Sequence, residues 1–446
     1  MKNKSISYTF LVLIHVILGL VIFILPFLSK IYALLMPIVG LSIVIRNQNK
    51  NNEVIFVAAY LVGIEVFLRM TGGNFNNEYI KFLVIFFMII GMFYNNFSIR
   101  SFLYIVFLLF LIPGILILIF AEHLDFDIKK AIAFNLSGSL CLAITSMYMY
   151  KKKILFSNLQ NILIAIGLPI VSTVVYLFLY NPSVRDVVTG TQSNFETSGG
   201  FGPNQVSTIL GLGMFIFFSQ LVLFSKSKKE IILNAILLIF VSYRGIATFS
   251  RGGVITGVVM ILCMLLVFFS FSNERGRRKI ALVSLLAGIL GIGIFSYSSL
   301  QTYGLIEKRY ANQDAKGRIK KDRLGGREAV IDTDLKLFLD NPILGIGVGM
   351  GKENRKESLG QAVAAHNEIS RLLSEHGLFG IFSFLILLFT PFALYVNNRE
   401  HIYFFSFFLF WLLTINHAAL RIAAPAFVYA LCLLSIQLKI PEETEN

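Results

Sequence analysis

Three short segments hold residue types able to act on an anionic substrate. The first runs Tyr243-Arg244-Gly245-Ile246-Ala247-Thr248-Phe249-Ser250-Arg251-Gly252-Gly253. Arg244 and Arg251 are two helical turns apart, so they share a face if one helix runs through both. Arg251 also stands at a junction between two apolar runs, beside the start of the second. A helix start offers unpaired N–H groups and the positive end of the dipole, and Gly252 and Gly253 let an anion approach that backbone closely. An arginine there suits a phosphate or diphosphate. The plainer alternative is an interfacial arginine reaching to lipid headgroups.

The second segment is Gly325-Gly326-Arg327, where Arg327 is either a second phosphate ligand or a solvated surface arginine. The third is Ala365-His366-Asn367-Glu368-Ile369-Ser370-Arg371, continuing to Glu375-His376-Gly377. His366 can orient a phosphate or take a proton from a hydroxyl near neutral pH; a hydrogen-bonded interfacial histidine is the other reading. Glu368 and Glu375 are alternative bases, and His376, next to a helix end, reads as a C-terminal cap.

Several lookalikes fail on spacing. His366-Asn367-Glu368 is H-x-E, but no Pro-Cys-x-x-Cys follows, and no H-E-x-x-H occurs. Gly345, Gly347, Gly349, Gly351 and Lys352 imitate a phosphate loop without its glycine spacing or its Ser/Thr. Cys141, Cys263 and Cys432 all lie in apolar runs with no C-x-x-C, so neither a disulfide framework nor a thiolate metal site is indicated. Glu65 and Arg69, spaced i and i+4, read as a structural ion pair or as part of a substrate path.

These residues must be positioned by helices in a membrane. The 446 residues are 56% hydrophobic and 14% charged, against roughly 25% charged in a soluble domain. Apolar runs long enough to cross hydrocarbon as helices recur along the chain. They are expected near 8–28, 31–45, 53–70, 79–94, 101–121, 131–149, 159–180, 203–225, 230–248, 252–272, 279–298, 376–396, 402–418 and 420–438. The expected fold is therefore an all-α integral membrane protein of about 14 transmembrane helices, with a range of 12–14.

The net charge of +14 does not call for nucleic acid, because the basic residues punctuate the spans. Short loops on one side hold 17 Lys/Arg and those on the other hold 6. That bias places both termini in the cytoplasm. The first run, Tyr8 to Leu28, is too long for a signal peptide core and reads as a retained span.

The division expected is 1–298 with spans one to eleven, 299–375 as a long extracytoplasmic catalytic loop, and 376–446 with spans twelve to fourteen and a short cytoplasmic tail. The 299–375 stretch carries 24 of the chain's charged residues. Within it, Arg327 to Asp340 predicts an amphipathic helix with Ile331, Leu335, Phe338 and Leu339 on one face, lying on the membrane surface. Asn341-Pro342 stops it. A second helix is expected from near His366, with His366, Ile369 and Leu373 on one side, ending at Gly377.

Taken together the segments resemble the O-antigen polymerase and O-antigen ligase superfamily, multi-span bacterial membrane glycosyltransferases of GT-C type. The likeness rests on Phe249-Ser250-Arg251-Gly252 at a span junction and on Gly326-Arg327 ahead of Phe338-Leu339-Asp340-Asn341-Pro342-Ile343-Leu344-Gly345-Ile346-Gly347. His366-Asn367, Leu372-Leu373 and Glu375-His376-Gly377-Leu378-Phe379-Gly380 follow. Gly202-Pro203-Asn204, opening the eighth span, resembles another recurrent family segment. Val330 and Ile331 stand where a tryptophan often follows the family's loop arginine. The motif-bearing part is 200–380.

The resemblance implies transfer of a glycan from polyprenyl diphosphate to an acceptor hydroxyl at the outer face of the bacterial cytoplasmic membrane, with no cofactor, nucleotide sugar or divalent metal. It places the phosphate-binding arginines at Arg251 and Arg327 and the essential histidine at His366. Arg244 and Gly252 join the diphosphate site, while Asn204, Glu368 and Glu375 stand as acceptor contacts or base. The expected partners are a polyprenyl-diphosphate-linked oligosaccharide, an acceptor glycan and membrane lipids, with a flippase and a chain-length regulator as candidates. A polymerase of O-antigen, capsule or exopolysaccharide repeats is preferred. A ligase to lipid A core or protein is the alternative, and a lipid-linked glycan flippase is a reading from another class. Flippases and secondary transporters usually show internal repeats and short loops; no repeat is visible here, and the charges sit in an outer loop.

Overall fold

The computed structural model describes residues 7–95, 97–121, 127–320, 327–359 and 365–438. The apolar runs fold as helices because hydrocarbon offers no partner for backbone N–H and C=O groups outside their own segment. In chain order these are α1 (Tyr8–Ile24), α2 (Leu28–Asn47), α3 (Glu53–Met70), α4 (Tyr79–Tyr94), α5 (Leu103–Leu109), α6 (Ile112–Phe120) and α7 (Ile128–Met149). After the strand β1 (Lys153–Leu155) come α8 (Phe156–Tyr180), α9 (Val184–Val187), α10 (Pro203–Ser219), α11 (Lys228–Ala247), α12 (Arg251–Phe271), α13 (Glu274–Gln301) and α14 (Leu305–Tyr310). The chain closes with α15 (Arg327–Asp340), α16 (Met350–Leu359), α17 (Glu368–Tyr395), α18 (Phe404–Ile415), α19 (Ala423–Leu431) and the strand β2 (Ser435–Gln437).

Among the described residues, 9 helical segments are long and apolar enough to cross a membrane, which makes this a multi-pass membrane protein. Every expected apolar run is helical in some part, yet several fall short of a full span. α1, α4 and α18 are apolar but only 17, 16 and 12 residues long, and α3 carries Glu53, Glu65 and Arg69. The last expected span, 420–438, is corrected by the structure. Its helix α19 has 9 residues, about 14 Å at 1.5 Å per residue, far less than the hydrocarbon thickness. The remainder is extended: β2 pairs in parallel with β1, Lys153 opposite Ser435.

The chain forms two compact units. The first comprises Met1–Arg46, Ile55–Asn77 and Gln160–Lys320, and the second Asn47–Val54, Glu78–Leu159 and Lys321–Asn446. The 299–375 stretch is thus shared by both units.

In the first unit, α10 and α12 meet through small residues. A Cβ on Gly211 would lie 2.0 Å from the Gly253 carbonyl oxygen, and one on Gly257 would lie 2.6 Å from the Gly211 oxygen. Small residues let helix backbones approach closely in membranes, and here the approach sets where α12 begins. Gly211→Val is expected to destabilise the protein by about 1–3 kcal/mol through overpacking. Gly288→Ala, at a position with no atom within 4 Å, is the control. Thermal unfolding in detergent tests this, and equal midpoints for the two variants would refute the close contact.

In the second unit, α7 packs against α4 and α19. Lys81 is buried and ion-paired with Glu78, and its Nζ donates to the Leu420 carbonyl at 3.4 Å. Glu78 also accepts from the Ser137 hydroxyl at 2.5 Å. Gly138 of α7 abuts Leu420, where a Cβ would come within 2.4 Å of its side chain. These contacts fix the turn at 416–422.

The loop helix α15 spans Arg327–Asp340, matching its expected bounds. The face it buries carries Val330 and Asp334, whereas Leu335 and Leu339 of the expected apolar face are exposed. α17 starts at Glu368, two residues after His366, so His366 precedes the helix and does not share its face with Ile369 and Leu373. Asn367 is its N-cap, Oδ1 accepting from the N–H groups of Ile369 at 2.9 Å and Ser370 at 3.2 Å. The helix is interrupted at Gly377, with φ 59° and ψ −136°. Only glycine fits there, since a Cβ would lie 2.6 Å from the carbonyl oxygens of Pro342 and Ile343.

Candidate functional site

In the first unit, α11 ends at Ala247 and the chain turns before α12. Thr248 donates to the Gly245 carbonyl at 2.7 Å, Phe249 takes a positive φ of 57°, and Ser250 is extended ahead of Arg251. This break removes the common face expected of Arg244 and Arg251, which belong to different helices. Arg244 is buried, and its guanidinium donates to the carbonyls of Asn181 at 3.1 Å, Leu177 at 2.8 Å and Thr197 at 3.2 Å. It also lies over the Phe178 ring at 5.1 Å. Arg244 thus ties the C-terminal end of α8 to the segment that leads into α10.

Arg251 is half-buried at the start of α12. Its Nη1 donates to the Arg309 carbonyl at 3.3 Å, and Arg309 in turn donates from Nε to the Phe249 carbonyl at 2.9 Å. Arg309 thus braces the turn that presents Arg251. Burial pushes the neighbouring Tyr310 phenol up to about 12, against the opposing pull of Arg251 and Arg309. Asn204, one residue into α10, accepts from the Ser250 hydroxyl at 2.8 Å. Asn204, Arg251 and Gly252 are therefore gathered at one end of this unit.

The second unit collects a different set. His366 stands just before α17, half-buried, its Nδ1 with no hydrogen-bond partner among the described residues. Burial pushes its pKa down to about 4, and the charges of Arg421, Arg327, His417 and Arg355 push the same way. The ring is neutral at physiological pH and sits in a cationic field. Arg327, first residue of α15, is part of that field; Gly325 and Gly326 lie outside the described residues.

Arg421 is one of the six Lys/Arg in the short loops of the less basic side. It lies on the 416–422 turn, donates to the Ala365 carbonyl at 3.0 Å and faces the Phe134 ring at 5.6 Å. The signal that marks it is an arginine set in an apolar run, a rare and often functional placement.

Glu368 and Glu375 are both held by Arg371. Its Nε donates to Glu368 at 3.1 Å, its Nη2 pairs with the same carboxylate, and its Nη1 donates to Glu375 at 2.7 Å. All three are buried, so the two carboxylates form a triad on the first turns of α17. A second buried pair, Asp334 with Arg355, links α15 to α16, and Ser370 donates to Asp334 at 2.7 Å. Burial raises the Asp334 carboxyl, with Arg355 opposing. Sequence reasoning missed Asp334, Arg355 and Arg371, because a charge on a surface helix looks the same whether or not it is paired. His376 is not a cap: it is buried against Gly114 of α6, and neither ring nitrogen has a hydrogen-bond partner among the described residues.

With this geometry in view, residues 235–385 match the O-antigen ligase family. Over that segment, about a third of its length, the chain is similar to the O-antigen polymerase and ligase superfamily. No curated protein matches the chain. The O-antigen ligase segment contains Arg244, Arg251, Arg327, His366, Glu368 and Glu375, whereas Asn204 and Arg421 lie outside it. The charges of Arg327, Arg355 and Arg421 act on one buried imidazole. The guanidiniums suit an oxyanion-rich group, and the imidazole can receive a proton from a hydroxyl.

Proposed function

We propose that this protein is a metal-independent glycosyltransferase of the bacterial cytoplasmic membrane. It takes a glycan from polyprenyl diphosphate and transfers it, on the extracytoplasmic face, to the next lipid-linked repeat unit, as a polysaccharide polymerase. The observation that carries this reading is His366, half-buried with Nδ1 unpartnered among the described residues, next to the Ala365 carbonyl that Arg421 holds at 3.0 Å, within the segment that matches the O-antigen ligase family.

In the proposed reaction the acceptor oxygen attacks the anomeric carbon, its proton passes to the imidazole, and the bond from that carbon to the diphosphate oxygen breaks with its electron pair. Charge grows on the leaving oxygen. A guanidinium aimed at it stabilises the transition state more than the ground state. Arg327 is assigned that contact. The same imidazole is also suited to hold a diphosphate oxygen, since a bound polyanion would draw its pKa back up. Glu368 and Glu375 act on Arg371 rather than as bases, and Arg244 acts on the backbone carbonyls of Leu177, Asn181 and Thr197. Arg251, with Gly252 and Asn204 beside it, is proposed as an anion-binding residue of the first unit. The lipid donor keeps its chain in the bilayer throughout.

A ligase, differing only in acceptor, is the second reading, favoured by the name of the matching family. The test is the lipid-linked and surface glycan profile of cells carrying Arg327→Ala or Arg251→Ala, with membrane levels of the protein equal to wild type. Loss of long glycan with single repeat units persisting is the expected result. Long chains accumulating on the polyprenyl carrier identify a ligase instead. An unchanged profile removes the transfer reading and favours a transporter of lipid-linked glycan.

A further inference from the structure

At the end of the second unit away from His366, a turn of three lysines borders a polar cavity. α17 begins beside His366, breaks at Gly377, and its second part runs on to Tyr395, about 27 Å along its own axis. Lys151 and Lys153 line a space with that same Tyr395. The turn follows α7: Lys151 takes a positive φ of 55°, its N–H donates to the Leu433 carbonyl at 2.9 Å, and Ser435 donates to the Lys152 carbonyl at 2.8 Å. Pairing of β1 with β2 holds it in place.

On one side of this turn lies a cavity of ≈ 550 Å³ lined by the three lysines with Asn52, Asn95 and Tyr148. Its wall is a built network. Asn49 Nδ2 donates to Asn95 Oδ1 at 2.7 Å and to the Tyr148 hydroxyl at 2.8 Å, and that hydroxyl donates to Asn52 Oδ1 at 3.4 Å. The Lys152 ammonium is half-buried and sits 3.9 Å over the Tyr148 ring. Among the described residues it forms no ion pair, in contrast with Lys81, which is buried against Glu78. Glu53, the nearest acid acting on Tyr148, already accepts from the Asn51 backbone and side chain at 3.1 and 3.0 Å. Burial without a counter-charge lowers the Lys152 pKa to about 8, a cost that an anion would reverse.

The cavity has an apolar neighbour. Tyr150 lines both it and a groove of ≈ 440 Å³ walled by Leu103, Phe110, Phe382, Ile386 and Phe389. A basic polar chamber joined through one residue to an apolar groove has the shape and polarity of an amphiphile. Basic pockets between spans hold the headgroups of acidic lipids.

We propose that this is a binding site for a phosphate-bearing anion, and that its occupant is an acidic membrane phospholipid. The headgroup sits on Lys151, Lys152 and Lys153, and an acyl chain lies along the groove. The experiment is native mass spectrometry of the full-length protein in detergent, titrated with phosphatidylglycerol, with phosphatidylcholine or with inorganic phosphate. Phosphatidylglycerol is expected to bind more tightly than phosphatidylcholine. Lys152→Gln should weaken it about fivefold, the loss typical of one lysine near an anionic headgroup. The double variant Lys151→Gln/Lys153→Gln, at two exposed positions, should weaken it further, and Lys279→Gln should not. Equal binding of the two lipids, or lysine variants that bind like wild type, would overturn the proposal. Binding of inorganic phosphate alone, with no preference for the acidic lipid, would show a soluble phosphate as the occupant and overturn the lipid assignment.

Discussion

His366→Ala is expected to lower turnover by about 10²–10⁴-fold, the range for a positioned proton-transfer group, at unchanged abundance in the membrane. The pH dependence discriminates further. Burial and the charges of Arg421, Arg327, His417 and Arg355 push the free protein's imidazole to about 4. The acid limb of kcat/KM, which reports the free enzyme, should therefore fall well below the ordinary histidine value near 6.5. A diphosphate bound nearby offsets the cationic field, so the acid limb of kcat should lie higher than that of kcat/KM. The same shift carries a stability sign. The folded pKa is below the unfolded one, so the unfolded chain binds the extra proton. The contribution of His366 is complete above about 6.5 and is lost as pH falls from there towards 4. Steady-state rates with a lipid-linked donor across pH 4–8 would show this. A kcat/KM limb at 6.5 or above would refute the buried neutral imidazole, and a His366→Ala variant of wild-type rate would remove the residue from the reaction.

The second large effect falls on stability. Arg371 holds Glu368 and Glu375 together in a buried triad. Arg371→Met leaves two carboxylates without a counter-charge, and breaking a buried pair typically costs about 3–5 kcal/mol. A large fall in the thermal midpoint in detergent is expected. The triple variant Glu368→Gln/Arg371→Met/Glu375→Gln removes the stranded charges with their partner and should recover most of the loss. A single variant with the wild-type midpoint would show that the triad is not what secures the start of α17. Recovery in the triple variant without recovery of glycan synthesis would show that the triad also positions His366, which stands two residues before Glu368.

Much of the fold, and His366 but not Arg371 of the candidate site, was legible before folding was considered. Hydrophobic run length located the helices, because the hydrocarbon leaves a polypeptide only one local way to satisfy its backbone. Arg327–Asp340 read correctly as a helix, since proline two residues beyond its end and a helical apolar period are both local signals. The break at Gly377 was local too. Arg251, Arg327 and His366 stood out because a charged or titratable group between apolar runs is costly and so is rarely incidental. The likeness to the superfamily also followed from short motifs in order, and the match over residues 235–385 bears it out.

What the sequence could not supply is which charges neutralise one another. Arg244 looked like a partner of Arg251, yet a turn of three residues, 248–250, parts their helices and Arg244 goes to the backbone carbonyls of Leu177, Asn181 and Thr197. Glu368 and Glu375 read as alternative bases from sequence, which gave no sign that Arg371 pairs with both. Arg421 reaches the neighbourhood of His366 only because Lys81, Glu78 and Ser137 anchor the 416–422 turn. The expected last span became a short helix and a strand because β2 found β1, far away in sequence. Chain-local energies, the cost of unpaired backbone and exposed apolar surface, are written residue by residue and therefore belong to the sequence. Electrostatic pairing and strand pairing depend on distances between residues remote in the chain, and those distances exist only once the helices have packed.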